Sequence, residues 1–280
     1  MNLGDAPESS NVEDSRGMGT KLAIGGGGGV VLLILGLIFG VDLTGQNPGQ
    51  PNNAPRNTVP VNRAARDEKT LVFTKKILGT TEAVWKAEFS KMGQNYSPPH
   101  LALFSDQVQT GCGLAPAAVG PFYCPADRKV YLDPTFFEEL ERKLGGSKGE
   151  FSQAYVIAHE VGHHVQNLLG YPARKGRMEE HDFSVRLELQ ADYLAGVWAF
   201  HGQKMFNFIE PGDVESAIKS ANAIGDDRLQ QRSGGFVHPE KFTHGTSAQR
   251  VKSFKDGLRT GDASKKTLDH FFEVRSSKEL

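Results

Sequence analysis

Hydrophobic residues recur at helical spacing over most of the chain that follows residue 63. This spacing predicts helices over residues 65–92, 134–144, 151–169, 184–200, 214–224 and 247–258. Shorter apolar runs at 100–104 and 129–133 predict strands, and residues 117–124 predict a third strand that is interrupted at Gly120 and Pro121. A few strands followed by many helices predicts an α+β fold.

An uncharged run at residues 22–41 has a different pattern, because twelve of its 20 residues are Leu, Ile, Val or Phe. Twenty helical residues span about 30 Å, the thickness of a bilayer core, so the run predicts a transmembrane helix. The alternative of a cleaved signal peptide is opposed by the long acidic leader and by the lack of an Ala-x-Ala site. The glycines at 25–29 are not followed by the Lys-Ser/Thr pair of a phosphate loop.

The chain therefore divides into four predicted segments. They are a disordered cytoplasmic tail (1–21), a transmembrane helix (22–41), a linker rich in Pro, Asn and Gly (42–62) and a catalytic domain (63–280). Arg16 and Lys21 precede the span and Asp42 follows it, which predicts a domain outside the cytoplasmic membrane. Gly36 and Gly40 form a GxxxG pattern, a weak indication of a homodimer within the bilayer.

Composition and charge exclude several classes of protein. Lys plus Arg is 32 and Asp plus Glu is 33, so no basic excess exists to bind nucleic acid. Hydrophobic residues at 38% exclude a wholly disordered chain. Cys112 and Cys124 are expected to form a disulfide if the domain lies outside the cytoplasm, the alternative being two unpaired thiols.

The sequence His159-Glu160-Val-Gly-His163 carries the strongest chemical signal. Residues four apart lie on one face of a helix, so the two imidazoles can converge on one metal ion. Glu160 is rotated by about 100° from His159, beside the metal, where it can take a proton from metal-bound water. His164 is rotated by about 100° from His163 and points away from the metal ligands, so it is expected to have a structural role. A chance pattern without a metal is opposed by the apolar surroundings, since unpaired buried polar groups are costly.

A catalytic zinc site needs a third protein ligand. The candidates are His181, Glu188, Asp192, His201, His238 and His244. The metzincin pattern fails because Leu169 stands where it requires a histidine. Glu188 and Asp192 are four apart in an apolar stretch, which favours Glu188 as the ligand and Asp192 as the acceptor of a hydrogen bond from a ligand histidine. The alternative is a solvated pair of acids.

Taken together, these motifs resemble the neutral zinc metallopeptidase family of bacteria. The matching segments are 11–14, 40–45, 120–127, 158–164, 188–192 and 244–250. The resemblance implies a gluzincin-type zincin domain with a small antiparallel sheet, anchored in the inner membrane by one N-terminal span. It also implies one Zn²⁺ per chain and a peptide or protein as the substrate.

The resemblance further implies roles for two residues of the last segment. His244 is expected to donate to the oxyanion of the tetrahedral intermediate, and Arg250 to orient His244 or to hold the substrate backbone. The alternative is a helix-entry histidine and an arginine in a surface ion pair. The expected function is a metalloendopeptidase in which Glu160 acts as general base. Two alternatives stay open, a zinc-stabilised scaffold that cleaves nothing and a zinc amidase acting on cell-wall peptides.

Overall fold

The computed structural model of this chain describes residues 1–16, 60–232 and 237–280. Its strands are β1 (Val12–Asp14), β2 (His100–Leu103), β3 (Gln107–Thr110), β4 (Gly113–Pro116), β5 (Phe122–Cys124) and β6 (Lys129–Leu132). Its helices are α1 (Pro60–Lys91), α2 (Phe136–Arg142), α3 (Glu150–Leu169), α4 (Glu180–Phe206), α5 (Asp213–Ala223), α6 (Asp226–Arg232), α7 (Ser247–Thr260) and α8 (Lys265–Glu273). The predicted α+β class is confirmed.

The main sheet is mixed rather than antiparallel. Its strand order is β1-β2-β6-β5, in which β1 and β6 both run parallel to β2 and β5 runs antiparallel to β6. The predicted antiparallel sheet is therefore wrong in strand direction, because β2 and β6 are joined by a long connection that reverses the chain twice. This connection contains the separate hairpin β3-β4. Among the described strands, β5 lies at one edge of the sheet.

The predicted disulfide is confirmed and joins the hairpin to this edge. Cys112, in the turn between β3 and β4, is bonded to Cys124 in β5 with an S–S distance of 2.08 Å. Gly120 (φ 78°) separates β5 from a short 3₁₀ turn at Ala117–Val119, so the predicted third strand begins only after the Gly-Pro break. Edge strand β5 is thus held both by its pairing with β6 and by a covalent link.

Two helices approach so closely that only glycine fits between them. A Cβ atom on Gly196 of α4 would lie 2.2 Å from the carbonyl oxygen of Phe254 in α7. Conversely, a Cβ on Gly257 of α7 would lie 2.0 Å from the carbonyl oxygen of Tyr193 in α4. This contact of backbone against backbone brings the side chains of α7 within reach of the functional face of α4.

Residues 1–16 belong to the folded domain, so the predicted disordered tail is wrong. Strand β1 extends the main sheet beside β2, with the amide of Leu101 donating to the carbonyl of Asn11 at 2.9 Å. The Ser9 hydroxyl and the Asn11 side-chain amide both donate to the Glu82 carboxylate of α1, at 2.6 and 2.8 Å. The segment lacks aromatic residues and is held by hydrogen bonds, which is why its composition suggested disorder. We refer to residues 1–16 as the N-terminal strap.

The predicted membrane arrangement also requires correction. Within residues 1–16, 60–232 and 237–280, no helix combines the length and apolar character needed to cross a bilayer. The predicted span at 22–41 lies outside these described ranges. The predicted transmembrane helix and the predicted single-pass position in the inner membrane are therefore not supported by the part of the chain that the structure describes.

The strap crosses α1 at Gly79, and this contact gives a test of its contribution. A Cβ at position 79 would lie 2.1 Å from the carbonyl oxygen of Pro7. We expect Gly79→Ala to destabilise the full chain by about 1–3 kcal/mol, the usual cost of overpacking. In a chain lacking residues 2–11 the same substitution should stabilise by about 0.5–1 kcal/mol, since alanine is the better helix former. Urea unfolding of the full chain and of the shortened chain, each with and without Gly79→Ala, measures both changes in the free energy of unfolding.

The exposed Lys86 on the same helix provides the control. Lys86→Ala should change the free energy of unfolding equally in the full and the shortened chain. If Gly79→Ala has the same sign of effect in both backgrounds, the strap does not pack on α1 as described.

Candidate active site

Helices α3 and α4 bring together the three predicted metal ligands. The Nε2 atom of His159 lies 3.2 Å from Glu188 Oε2, and the Nε2 atom of His163 lies 3.4 Å from Glu188 Oε1. Each of the three residues offers one ligand atom, and these atoms all lie within 4.8 Å of one another. Helical spacing in α3 places the histidines on one face, and the packing of α3 on α4 supplies the carboxylate.

His159 is oriented by the buried carboxylate of Asp192. Its Nδ1 atom lies 2.9 Å from Asp192 Oδ1, the contact predicted from the spacing of Glu188 and Asp192. The same oxygen accepts a hydrogen bond from the Tyr155 hydroxyl at 2.5 Å. Because a carboxylate can only accept, Nδ1 carries a proton, and the ring is held with Nε2 facing Glu188 in the ligand cluster.

His163 is oriented in the same way by Gln166, one turn further along α3. The amide nitrogen of Gln166 donates to the carbonyl of Leu187 at 2.6 Å and to the side chain of Gln190 at 3.0 Å. Its oxygen is therefore left to accept from His163 Nδ1, at 2.9 Å. Both ligand histidines thus direct Nε2 towards Glu188.

The electrostatics of the cluster favour a cation. Burial opposes the charge of His159, yet the carboxylates of Asp192 and Glu188 raise its pKa to about 10. Burial also works to raise the pKa of Glu188, but His163 and His159 hold that pKa well below its usual range. Two imidazoles and one carboxylate are a ligand set typical of catalytic zinc. The residues present therefore fit a zinc ion, and His159, His163 and Glu188 would hold it.

Glu160 lies beside the ligands and lines the same open cavity, which has a volume of about 360 Å³. The residue is 7% exposed, and its carboxylate accepts no hydrogen bond from the residues that the structure describes. Burial raises the pKa of Glu160, an effect partly offset by the charges of His159 and His163. A carboxylate with a raised pKa is well suited to accept and return a proton near neutral pH.

His244 borders the cavity from the loop before α7 and is held by Asp226. Its Nδ1 atom lies 3.0 Å from Asp226 Oδ1, while Asp226 Oδ2 accepts the backbone amides of Thr243, His244 and Gly245 at 2.7, 2.6 and 3.1 Å. Nδ1 therefore carries a proton, and Nε2 is the atom that remains for the cavity.

Arg250 forms a buried ion pair with Asp192. Its Nε and Nη2 atoms donate to the two oxygens of Asp192, at 2.8 and 3.0 Å, and its Nη1 donates to the carbonyl of Ile224 at 3.4 Å. Arg250 is only 2% exposed. Arg250 therefore acts on Asp192, and through Asp192 on His159, while its contact with a substrate backbone stays a prediction.

His164 joins α3 to edge strand β5 rather than to the metal cluster. Its Nε2 donates to the carbonyl of Ser97 at 2.7 Å, so its Nδ1 accepts from the Tyr123 hydroxyl at 3.0 Å. Burial lowers the pKa of His164 to about 4, which keeps the ring neutral. Asn167, on the same helix, donates to the Tyr123 hydroxyl as well, at 3.2 Å.

The other candidate third ligands lie elsewhere. His201 is bonded to the carbonyl of Gly261, His238 to Glu240, and His181 is exposed in the first turn of α4. Within the described residues, the cluster of His159, His163 and Glu188 is the group whose ligand atoms converge.

Three residues of the site were missed by sequence reasoning. Tyr155 and Gln166 carry polar groups within the apolar helix α3, and both are buried. Their position among apolar residues is the signal by which the sequence could have pointed to them. Asp226 carries no such signal, because it opens a short polar helix and meets His244 only through the fold.

An α+β domain with HExxH on one helix and a converging carboxylate on the next forms a site that could hold a metal ion. Comparison with known proteins agrees: residues 1–268 match the family described as "Putative neutral zinc metallopeptidase", and the chain belongs to that family. It is 45% identical to "Uncharacterized protein YpfJ" of Escherichia coli (strain K12) over 273 residues, 91% of this chain and 94% of that protein. It is 46% identical to "Uncharacterized protein Rv2575" of Mycobacterium tuberculosis (strain ATCC 25618 / H37Rv) over 194 residues, 65% of each chain. No solved structure matches.

Proposed function

We propose that this chain is a zinc-dependent endopeptidase that binds one zinc ion through His159, His163 and Glu188. One observation carries the proposal: the converging ligand atoms and Glu160 line a single open cavity. A purely structural zinc site is closed by four protein ligands, whereas three ligands leave a position for water and substrate. A scaffold would also have no use for the buried acid at position 160.

The proposed reaction divides between the metal and the protein. Zinc, when bound, supplies a Lewis acid that acidifies water and polarises the scissile carbonyl. Glu160 takes the proton of the attacking water and returns it to the leaving amine. The raised pKa of Glu160 suits both halves of this transfer.

His244 is proposed to stabilise the negative charge that develops on the carbonyl oxygen. Asp226 fixes the proton on Nδ1 and holds the ring at the cavity wall. With Nδ1 engaged by Asp226, Nε2 is the ring atom through which His244 would donate to the substrate oxygen.

The edge strand supports an extended peptide as the substrate. Phe122 and Tyr123 of β5 line the cavity, and β5 pairs with β6 on one side only among the described strands. An extended peptide can add to such an edge through backbone hydrogen bonds. A chain that passes along β5 in this way can be cleaved at an internal bond.

The test uses the full chain, stripped of metal by a chelator and then supplied with one equivalent of zinc. Both forms are incubated with a library of peptides that includes cell-wall peptides, and products are identified by mass spectrometry. We expect products only from the zinc-loaded form, and cleavage that rises in proportion to bound zinc up to one ion per chain.

The result separates the proposal from its alternatives. Products from cell-wall peptides alone would favour the amidase. One zinc per chain without any product would favour the scaffold, and cleavage that persists after complete removal of metal would refute a zinc enzyme.

A further inference from the structure

One part of the cavity is lined by apolar side chains from several elements. We call it the apolar wall and define it by Phe136, Leu144, Val156, Ile224 and Leu229. Four of these side chains are 5–9% exposed, and Ile224 is partly buried. They form part of the hydrophobic core and also border open space.

Serine contacts between α3 and α5 set the position of the wall. Ser147, just before α3, bonds to Ser216, and Ser152 bonds to Ser220 at 2.6 Å. The two segments that contain these serines therefore run in the same direction along this contact. One turn beyond Ser152 is Val156, and one turn beyond Ser220 is Ile224.

Further contacts place the other wall residues nearby. Arg232 of α6 donates to the carbonyl of Lys143 at 3.0 Å, which joins the ends of α6 and α2. Leu144 directly follows Lys143, and Leu229 lies one turn before Arg232. The wall is thus assembled where α2, α3, α5 and α6 meet.

The wall adjoins the residues that would carry the reaction. Glu160 lies one turn beyond Val156 on the same helix. The carbonyl of Ile224 accepts from Arg250, and Asp226, two residues further on, holds His244. A peptide whose scissile bond lies at Glu160 would therefore direct a neighbouring side chain towards the wall.

We propose that the apolar wall is the specificity pocket of this enzyme and accepts a bulky apolar side chain, such as Leu, Ile, Met or Phe, beside the scissile bond. The inference rests on the proposed peptidase function. Apolar surface that borders water gains from contact with an apolar ligand, and each methylene group placed in such a pocket changes specificity about 10-fold or more. None of the five wall residues offers a partner for a charged side chain, so Lys, Glu and Asp should be rejected there.

The test compares the zinc-loaded full chain with variants on matched peptides that differ only at the residue beside the scissile bond. We expect kcat/KM for Leu or Phe to exceed that for Gly or Glu by at least about 10-fold. Leu229→Ala, which enlarges the pocket, should shift the preference from Leu to Phe. Leu229→Glu should shift it towards Lys and Arg.

The matched control is Leu114, which is 51% exposed on β4 and does not line the cavity. Leu114→Ala and Leu114→Glu should leave the preference unchanged. Thermal unfolding of each variant shows whether it folds, and Leu229→Ala keeps the test valid if the glutamate variant does not.

The outcomes separate the pocket from the peptidase. Cleavage by the unmodified chain without apolar preference, or preference unaffected by folded Leu229 variants, would overturn the pocket and leave the peptidase intact. If the unmodified chain and Glu160→Gln give the same products, the peptidase itself fails and the pocket with it.

Discussion

Replacing Glu160 by glutamine is expected to lower peptide hydrolysis by about 10²- to 10⁴-fold while zinc stays bound. Glutamine keeps the size of the side chain but cannot take a proton from water. The three proposed ligands are unchanged, so zinc stoichiometry should remain one per chain. Turnover on a cleaved library peptide and metal content after dialysis measure the two expectations.

Glu180 provides a matched control, because it lines the same cavity but is exposed at the start of α4. Glu180→Gln removes one negative charge from the cavity and should leave the rate within a few-fold of the unmodified chain. Comparable losses in both variants would show that the charge of the cavity, rather than proton transfer by Glu160, controls the rate. Turnover of Glu160→Gln at the full rate would refute its role as general base.

The metal cluster could be predicted because its geometry is local. His159 and His163 need only one helix to share a face, and Glu188 and Asp192 need only another. The meeting of these two helices follows from their apolar faces, which the sequence also displays. The observed contact between His159 and Asp192 shows that residue spacing on two helices can also predict a hydrogen bond between them.

The supporting residues could not be predicted because they depend on tertiary contacts. Arg250 reaches Asp192 only since Gly196 and Gly257 let α4 and α7 touch, and nothing local to residue 250 indicates this. In the same way, Asp226 is a first-turn acid in sequence and the partner of His244 in the fold.

The predictions for the sheet and for the N-terminus were wrong for a different physical reason. Hydrophobic periodicity detects elements that bury side chains, whereas β3 is largely polar and both β3 and β4 are only four residues long. The N-terminal strap likewise contributes backbone pairing and polar contacts to Glu82 rather than apolar surface. A tail judged by its composition alone therefore looked disordered, and the domain boundary placed at residue 63 left out an entire strand.

The buried ion pair of Asp192 and Arg250 should have a large effect on both stability and metal binding. Asp192→Ala removes the acceptor for His159, Tyr155 and Arg250 and leaves a buried guanidinium without its partner. We expect a loss of about 3–5 kcal/mol in the free energy of unfolding of the metal-free chain. Zinc affinity should fall by about 10- to 100-fold, since His159 loses the contact that orients it.

Urea unfolding measures the first effect and competition with a chromophoric chelator the second. Asp133 supplies the control, because it is also buried and accepts backbone amides of Asp106 and Thr135, but at the end of the sheet. Asp133→Ala should destabilise the chain without changing zinc affinity. An equal loss of zinc affinity in both variants would mean that general destabilisation weakens the site.

A double variant separates the two contributions of Asp192. In Asp192→Ala/Arg250→Met the uncompensated charge is gone, so much of the stability should return, because replacing a buried ion pair by apolar groups is often neutral. Zinc affinity should stay low, since His159 still lacks its acceptor. Full recovery of zinc affinity in the double variant would show that the unpaired arginine, and not the lost contact to His159, weakens the metal site. Persistently low zinc affinity would instead show that the ion pair between α4 and α7 supports the metal site by orienting His159 of α3.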